Sequence, residues 1–182
     1  MTMPLDHYVP KRRVPVVLWS DELKGFQGQI FLDLDGPGHR HQTVIERLNE
    51  RTRFLPVAVG DSGQIHLVNK GKLARVTPGP NVISTDVLAR GFGPAREELA
   101  EVRLVDGAVL HGRLWMPLQR DSQRVSDFLN MQGGSFFPLL TPTTIHMVNA
   151  SAVLLVKLAE CAGAPLGAGE GGTHAVEWGP PG

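Results

Sequence analysis

The chain has 182 residues, and 18 Lys+Arg balance 18 Asp+Glu. A 42% hydrophobic content allows a buried core, so global disorder is not expected, and zero net charge gives no electrostatic case for a nucleic-acid or anionic-membrane partner. The single cysteine, Cys161, excludes an internal disulfide and a Cys-rich zinc site, while 21 Gly and 14 Pro point to many turns and few long helices.

In chain order, residues 1–13 read as an N-terminal arm ending in the basic run Lys11-Arg12-Arg13. The apolar run from Val14 to Trp19 is too short for an export signal and contains Pro15. Residues 14–76 read as a first repeat. Its hairpin turns at Ser20–Gly25, and strand Gln29–Leu32 follows. A short helix carries Val44, Ile45 and Leu48, with Asn49 after it. Residues 77–100 read as a turn-rich connector with Pro78, Gly79, Pro80, Gly91, Gly93 and Pro94.

Residues 101–162 read as a second repeat, and it is the cleaner one. Asp106-Gly107 between apolar runs predicts a tight hairpin, because Gly takes positive φ freely. Asp121 or Ser122 can cap a helix with Val125, Phe128 and Leu129 on one face, and Asn130 suits the position just past its end. Phe136–Leu140 reads as a strand that Pro138 would restrict to an edge or bulge. Thr144–Val148 and Val153–Leu158 read as two more strands around an Asn149-Ala-Ser turn. Residues 163–182 read as a flexible Gly/Pro tail. The most apolar segment, Ile145–Ala164, is broken by His146, Asn149, Lys157 and Glu160, so no membrane span is expected and the cytoplasm is the expected location.

The two repeats share five colinear blocks. Gly28-Gln-Ile-Phe31 aligns with Gly112-Arg-Leu-Trp115, Leu48-Asn49 with Leu129-Asn130, and Phe54–Val57 with Phe136–Leu139. Ile65-His66-Leu67-Val68-Asn69 recurs as Ile145-His146-Met147-Val148-Asn149, and Leu73 and Val76 match Val153 and Val156. The offset drifts from 84 to 80, changing only between blocks, where loops would lie. The expected fold class is therefore β-rich α+β: two tandem β-β-α-β-β-β repeats forming a pseudo-symmetric pair of small barrels or rolled sheets.

Val102-x-Leu104-x-Asp106-Gly107-x-x-x-x-Gly112-x-Leu114 resembles the first motif of Sm-like small β-barrels, and Ile145-x-x-Val148-Asn149-x-x-x-Val153-x-x-Val156 resembles the second. Here the helix lies between the two motifs, whereas Sm-like proteins carry theirs at the N-terminus. The resemblance implies a small barrel or rolled sheet, and RNA or a small anionic ligand as a partner. The whole repeat is also similar to small bacterial domains without assigned function.

Candidate site residues are few. His66 and His146 share a repeat position and could meet as a proton switch. The competing expectation is a strand whose Ile65, Leu67, Ile145 and Met147 face the core while His points outward. Asn69 and Asn149 are shared as well and suit strand-to-strand turns. Asp33–His41 gathers two carboxylates and two imidazoles, as a metal-dependent enzyme would need. The matching stretch from Met116 to Gln123 has no His, so no metal is expected. Lys11–Arg13 and Lys70, Lys72 and Arg75 are two small basic clusters, read as solvated faces. Trp178 in the Gly/Pro tail is a candidate binding anchor. Nucleophile, P-loop, dinucleotide and zinc-protease motifs are missing, and Cys161 has no base near it in sequence. The expectation is a non-enzymatic binding or scaffold protein without a cofactor. It would act through a protein partner at a sheet edge or the Trp178 tail, with a further copy of the chain among the candidates.

Overall fold

A computed structural model describes residues 11–34, 41–88, 93, 96–116, 124–131 and 135–159. The elements are β1 (Lys11–Trp19), β2 (Lys24–Asp33), α1 (Val44–Asn49), β3 (Phe54–Val59), β4 (Gln64–Asn69) and β5 (Arg75–Pro78). Then follow α2 (Ser84–Val87), β6 (Arg96–Leu104), β7 (Val109–Met116), α3 (Val125–Met131), β8 (Phe136–Leu140), β9 (Ile145–Asn149) and β10 (Val153–Leu158). A 3-10 turn joins β4 to β5 at Lys70–Lys72, and another joins β9 to β10 at Ala150–Ala152. Among the described residues, no helix is long and apolar enough to cross a membrane.

Local chemistry accounts for most of these elements. In β1, buried Val14, Val16 and Leu18 alternate with outward residues, the period-2 pattern of a strand with one covered face. Gly107 closes the β6–β7 hairpin at φ 84°, and Gly25 at φ 77° takes up the bulge at the start of β2, just after the longer β1–β2 turn, where the Ser20 hydroxyl accepts from Leu23 N at 2.9 Å. Thr43 caps α1, and Glu46 returns the bond to the Thr43 backbone. Gly28 and Gly112 occupy matching places for one reason: a Cβ on Gly28 would lie 2.3 Å from Val57 Cγ1, and on Gly112 2.4 Å from the Leu140 carbonyl oxygen.

The ten strands form one open antiparallel sheet in the order β10-β6-β7-β8-β9-β5-β1-β2-β3-β4. The expected pair of small barrels is thereby corrected. Closure of the first five strands would pair β4 with β5, but β5 takes β9 as its second neighbour and, among the described residues, β4 pairs with β3 alone. Each half has the internal order fifth-first-second-third-fourth, and the registers correspond. Val16 faces Gly28 as Ala100 faces Gly112, Leu18 faces Val76 as Val102 faces Val156, and Phe54 faces Asn69 as Phe136 faces Asn149.

Other boundaries shift. Lys11–Arg13 belong to β1 rather than to an arm, and the connector contributes α2 and the start of β6. Asn49 and Asn130 are the end of α1 and part of α3, not residues beyond them. Pro138 lies in an interior strand. It is tolerated because the β7·β8 ladder reaches only Leu139 and Leu140. The expected cap at Asp121 or Ser122, Cys161, and the tail from residue 163 lie outside the described residues.

Two cores result, and they interlock. The first gathers Val14, Val16, Leu18, Ile30, Leu55 and Val76, and it includes Phe136 and Met147 from the second half. The second centres on Val102, Leu114, Phe128, Phe137 and Leu139, and it includes Ala74 from the first half.

Candidate functional site at the sheet junction and edges

The halves meet where β5 pairs with β9, with Arg75 opposite Val148 and Val76 opposite Met147. Three side-chain devices tie this short ladder. Asn149 is buried; its backbone N–H donates to the Ala74 carbonyl at 3.0 Å, and its amide Nδ2 donates to the Leu73 carbonyl at 2.9 Å. Asn49 mimics a strand residue: Nδ2 donates to the Phe136 carbonyl at 2.9 Å, while Oδ1 accepts from Phe136 N at 2.7 Å. Arg75 is buried between Asp106, 3.0 Å from its Nη1, and the Trp19 ring, 4.3 Å from its guanidinium carbon. A buried charge is tolerable when it is paired and stacked in this way.

His66 and His146 do not converge. Four strands, β5, β1, β2 and β3, separate them in the sheet. His146 sits at the junction with Nδ1 2.9 Å from Thr77 Oγ1. Burial, and then the neighbouring Arg75 guanidinium, push its pKa down to about 4, so it is neutral at pH 7. His66 is exposed on β4 beside the Phe26 ring. The expectation that Ile65 and Leu67 face the core also fails. Both are exposed, because among the described residues β4 has no neighbour beyond it.

Asn69 and Asn149 cap the two 3-10 turns identically, their Oδ1 atoms accepting from Gly71 N at 3.1 Å and Ser151 N at 3.0 Å. Only Asn149 also reaches across the sheet. The basic clusters disperse. Lys11 lies 3.3 Å from Asp33, Arg12 pairs with Asp86, and Arg13 stacks on Phe31. Lys70 is buried, its ammonium donating to the Leu48 and Glu50 carbonyls at 2.9 and 2.7 Å, and burial lowers its pKa. Within the Asp33–His41 stretch, His41 Nδ1 lies 2.7 Å from the Leu34 carbonyl, and residues 35–40 lie outside the described residues. Among the described residues, no group of three His, Cys, Asp or Glu side chains could hold a metal ion. Trp178 also lies outside them.

Two features deserve the name of a site. One is a cleft of about 550 Å³ beside the junction, lined by Asn49, Arg51, Arg53, Asn69, Lys72 and Ser135 among others. The other is the pair of open edges. Leu67 on β4 is 66% exposed, whereas its counterpart Met147 is 0% exposed under β5. Leu154 on β10 is 68% exposed, whereas its counterpart Ala74 is 1% exposed under β9. Sequence reasoning missed the roles of Asn49 and Arg75. Asn49 was visible within a shared block, but Arg75 has Leu155 at its counterpart and left no repeated signal. No protein-family model matches the chain, and no curated protein or solved structure matches it.

Proposed function

We propose that the chain is a tandem duplication of one β-β-α-β-β-β module, acting as a non-enzymatic binding or scaffold protein through protein contacts at its sheet edges. The observation that carries this reading is the exposure of Leu67 and Leu154 on strands that, among the described residues, are paired along one side only. An unpaired strand offers a row of backbone donors and acceptors, and exposed alternate side chains add specificity when a partner strand is added. The matching registers of the two halves support the duplication. The test is a photo-crosslinking residue placed at position 67 or 154 in cells. Protein adducts are expected at both positions, and the absence of adducts at both overturns the reading.

A second reading, an RNA or small anionic-ligand module, is favoured by the exposed cations Arg51, Arg53 and Lys72 around the cleft. Its electrostatic term is largest at low salt. Titration with single-stranded RNA at low salt should show binding that Arg53→Glu weakens; no binding there overturns it.

A further inference from the structure

The β5·β9 junction joins unlike edges. The fourth-strand edge of the second half meets the fifth-strand edge of the first. Such a contact between two like units uses one edge of each and leaves the complementary edge of each unused. Among the described residues the unused edges are β4, counterpart of β9, and β10, counterpart of β5. The molecule therefore already contains both faces of a contact that it makes only once.

We infer that a second copy of this chain is the partner at these edges, adding head to tail with its β10 antiparallel to β4. The inference names the partner within the reading given under Proposed function and rests on it. The register follows from the internal junction. Val76 opposite Met147 and Arg75 opposite Val148 carry over, at the shared offset of 80, to Val156 opposite Leu67 and Leu155 opposite Val68.

Four observations favour a second copy over an unrelated strand. The side chains that the new ladder would cover, Leu67, Leu154 and Leu155, are among the large apolar ones exposed now, and Leu67 and Leu154 are the two most exposed of them. Asn69 already holds the cap geometry from which Asn149 reaches across to a carbonyl, and the counterpart acceptor is the Val153 carbonyl of the next copy. Natural edge strands are commonly blocked by charge, proline or a bulge, and β10 has one irregularity of register, at Leu154, just before the residues that the new ladder would pair. Neither edge strand contains proline, β4 has no charged residue, and the one charge on β10, Lys157, lies 3.4 Å from Glu101 on the neighbouring strand. Finally, the contact continues one already present in the same sheet. Repetition of a head-to-tail contact closes into a ring or runs on as a filament, and either outcome gives a particle heavier than one chain.

The experiment uses the full chain and two variants whose changes fall on exposed positions, Leu67→Lys and Leu154→Lys. The wild type should have at least twice the monomer mass by light scattering at about 100 µM, where micromolar contacts are populated. Each variant alone should be a monomer with an unchanged circular dichroism spectrum. An equimolar mixture should give a 1:1 dimer and stop there, since Leu67→Lys retains a working β10 and Leu154→Lys a working β4. A monomeric wild type overturns the inference, and so does a variant that still dimerises alone, which would mean like edges pairing. If the wild type is monomeric but crosslinks at positions 67 or 154 to a different protein, the reading of the edges as protein-binding surfaces stands and only the identity of the partner falls.

Discussion

β4 and β9 carry nearly the same pentapeptide, Ile-His-Leu-Val-Asn in one and Ile-His-Met-Val-Asn in the other, and the two strands live in opposite environments. In β9 the methionine is fully covered, the histidine is half-buried and the asparagine is buried. In β4 the leucine and histidine are exposed and the asparagine is half-buried. Nothing in the pentapeptide causes the difference. A neighbouring strand on one side causes it, and burial is therefore a property of the position in the sheet rather than of the motif. Paired substitutions at matched positions are the direct way to measure what that neighbour contributes.

The largest contrast is expected at the junction charge. Asp106→Asn should cost about 3 kcal/mol in denaturant unfolding, because Arg75 remains buried without its counter-ion. The matched position for Arg75 is Leu155, so no equivalent loss exists at the open edge. Met147→Ala should follow closely, at about 2–4 kcal/mol for an emptied core position, while Leu67→Ala should stay within about 0.5 kcal/mol for the isolated chain. If the two came out equal, β4 would be covered in solution.

Gly112→Ala should cost about 1–3 kcal/mol, and more than Gly28→Ala. The added methyl meets the Leu140 carbonyl oxygen in one case and the end of a Val57 side chain in the other. Thermal unfolding of the two variants ranks them. Asn149→Ala should cost about 1–2 kcal/mol more than Asn69→Ala, since only Asn149 satisfies the Leu73 carbonyl across the sheet as well as its own turn.

The last contrast is in pH. His146 has a folded pKa near 4 against an ordinary value of 6.5, so between these values the unfolded chain binds more protons than the folded one. Its contribution is complete above pH 6.5 and declines as pH falls towards 4. A midpoint of unfolding measured across that window should fall with acid, and His146→Gln should flatten the slope. An unchanged slope would mean that His146 is solvated and that the junction is looser than its ladder indicates.

Much of this architecture could be read from residue order. Three of the five shared blocks fall on paired strands, the Leu48-Asn49 block falls on α1 and α3, and the last reaches β5 and β10; the registers run at the same offsets, 84 for Gly28 and Gly112, 82 for Phe54 and Phe136, 80 for Asn69 and Asn149. The Asp106-Gly107 hairpin and the apolar positions of α1 were also legible, because each rests on chemistry within a few residues. What was not legible depends on partners far along the chain. Whether five strands close on themselves or open to a neighbour turns on which edge reaches β5 first, and no local pattern encodes that choice. The same reason made Ile65 and Leu67 look like core residues. The candidate site was the least legible part, since a sheet edge is defined by what does not pair with it.

The Asn49 clasp on Phe136 has a consequence in time. Its two bonds span 87 residues, and the first core also waits for Phe136 and Met147. A chain emerging from the ribosome N-terminus first therefore presents its first half with the Asn49 amide lacking Phe136, an open core flank and a bare β5 edge until the second half has been made. Long-range contacts of this kind slow folding and leave apolar surface exposed in the interval. During synthesis the nascent first half is thus the molecule's most aggregation-prone form, and a fragment ending near Pro80 would be held in that state permanently.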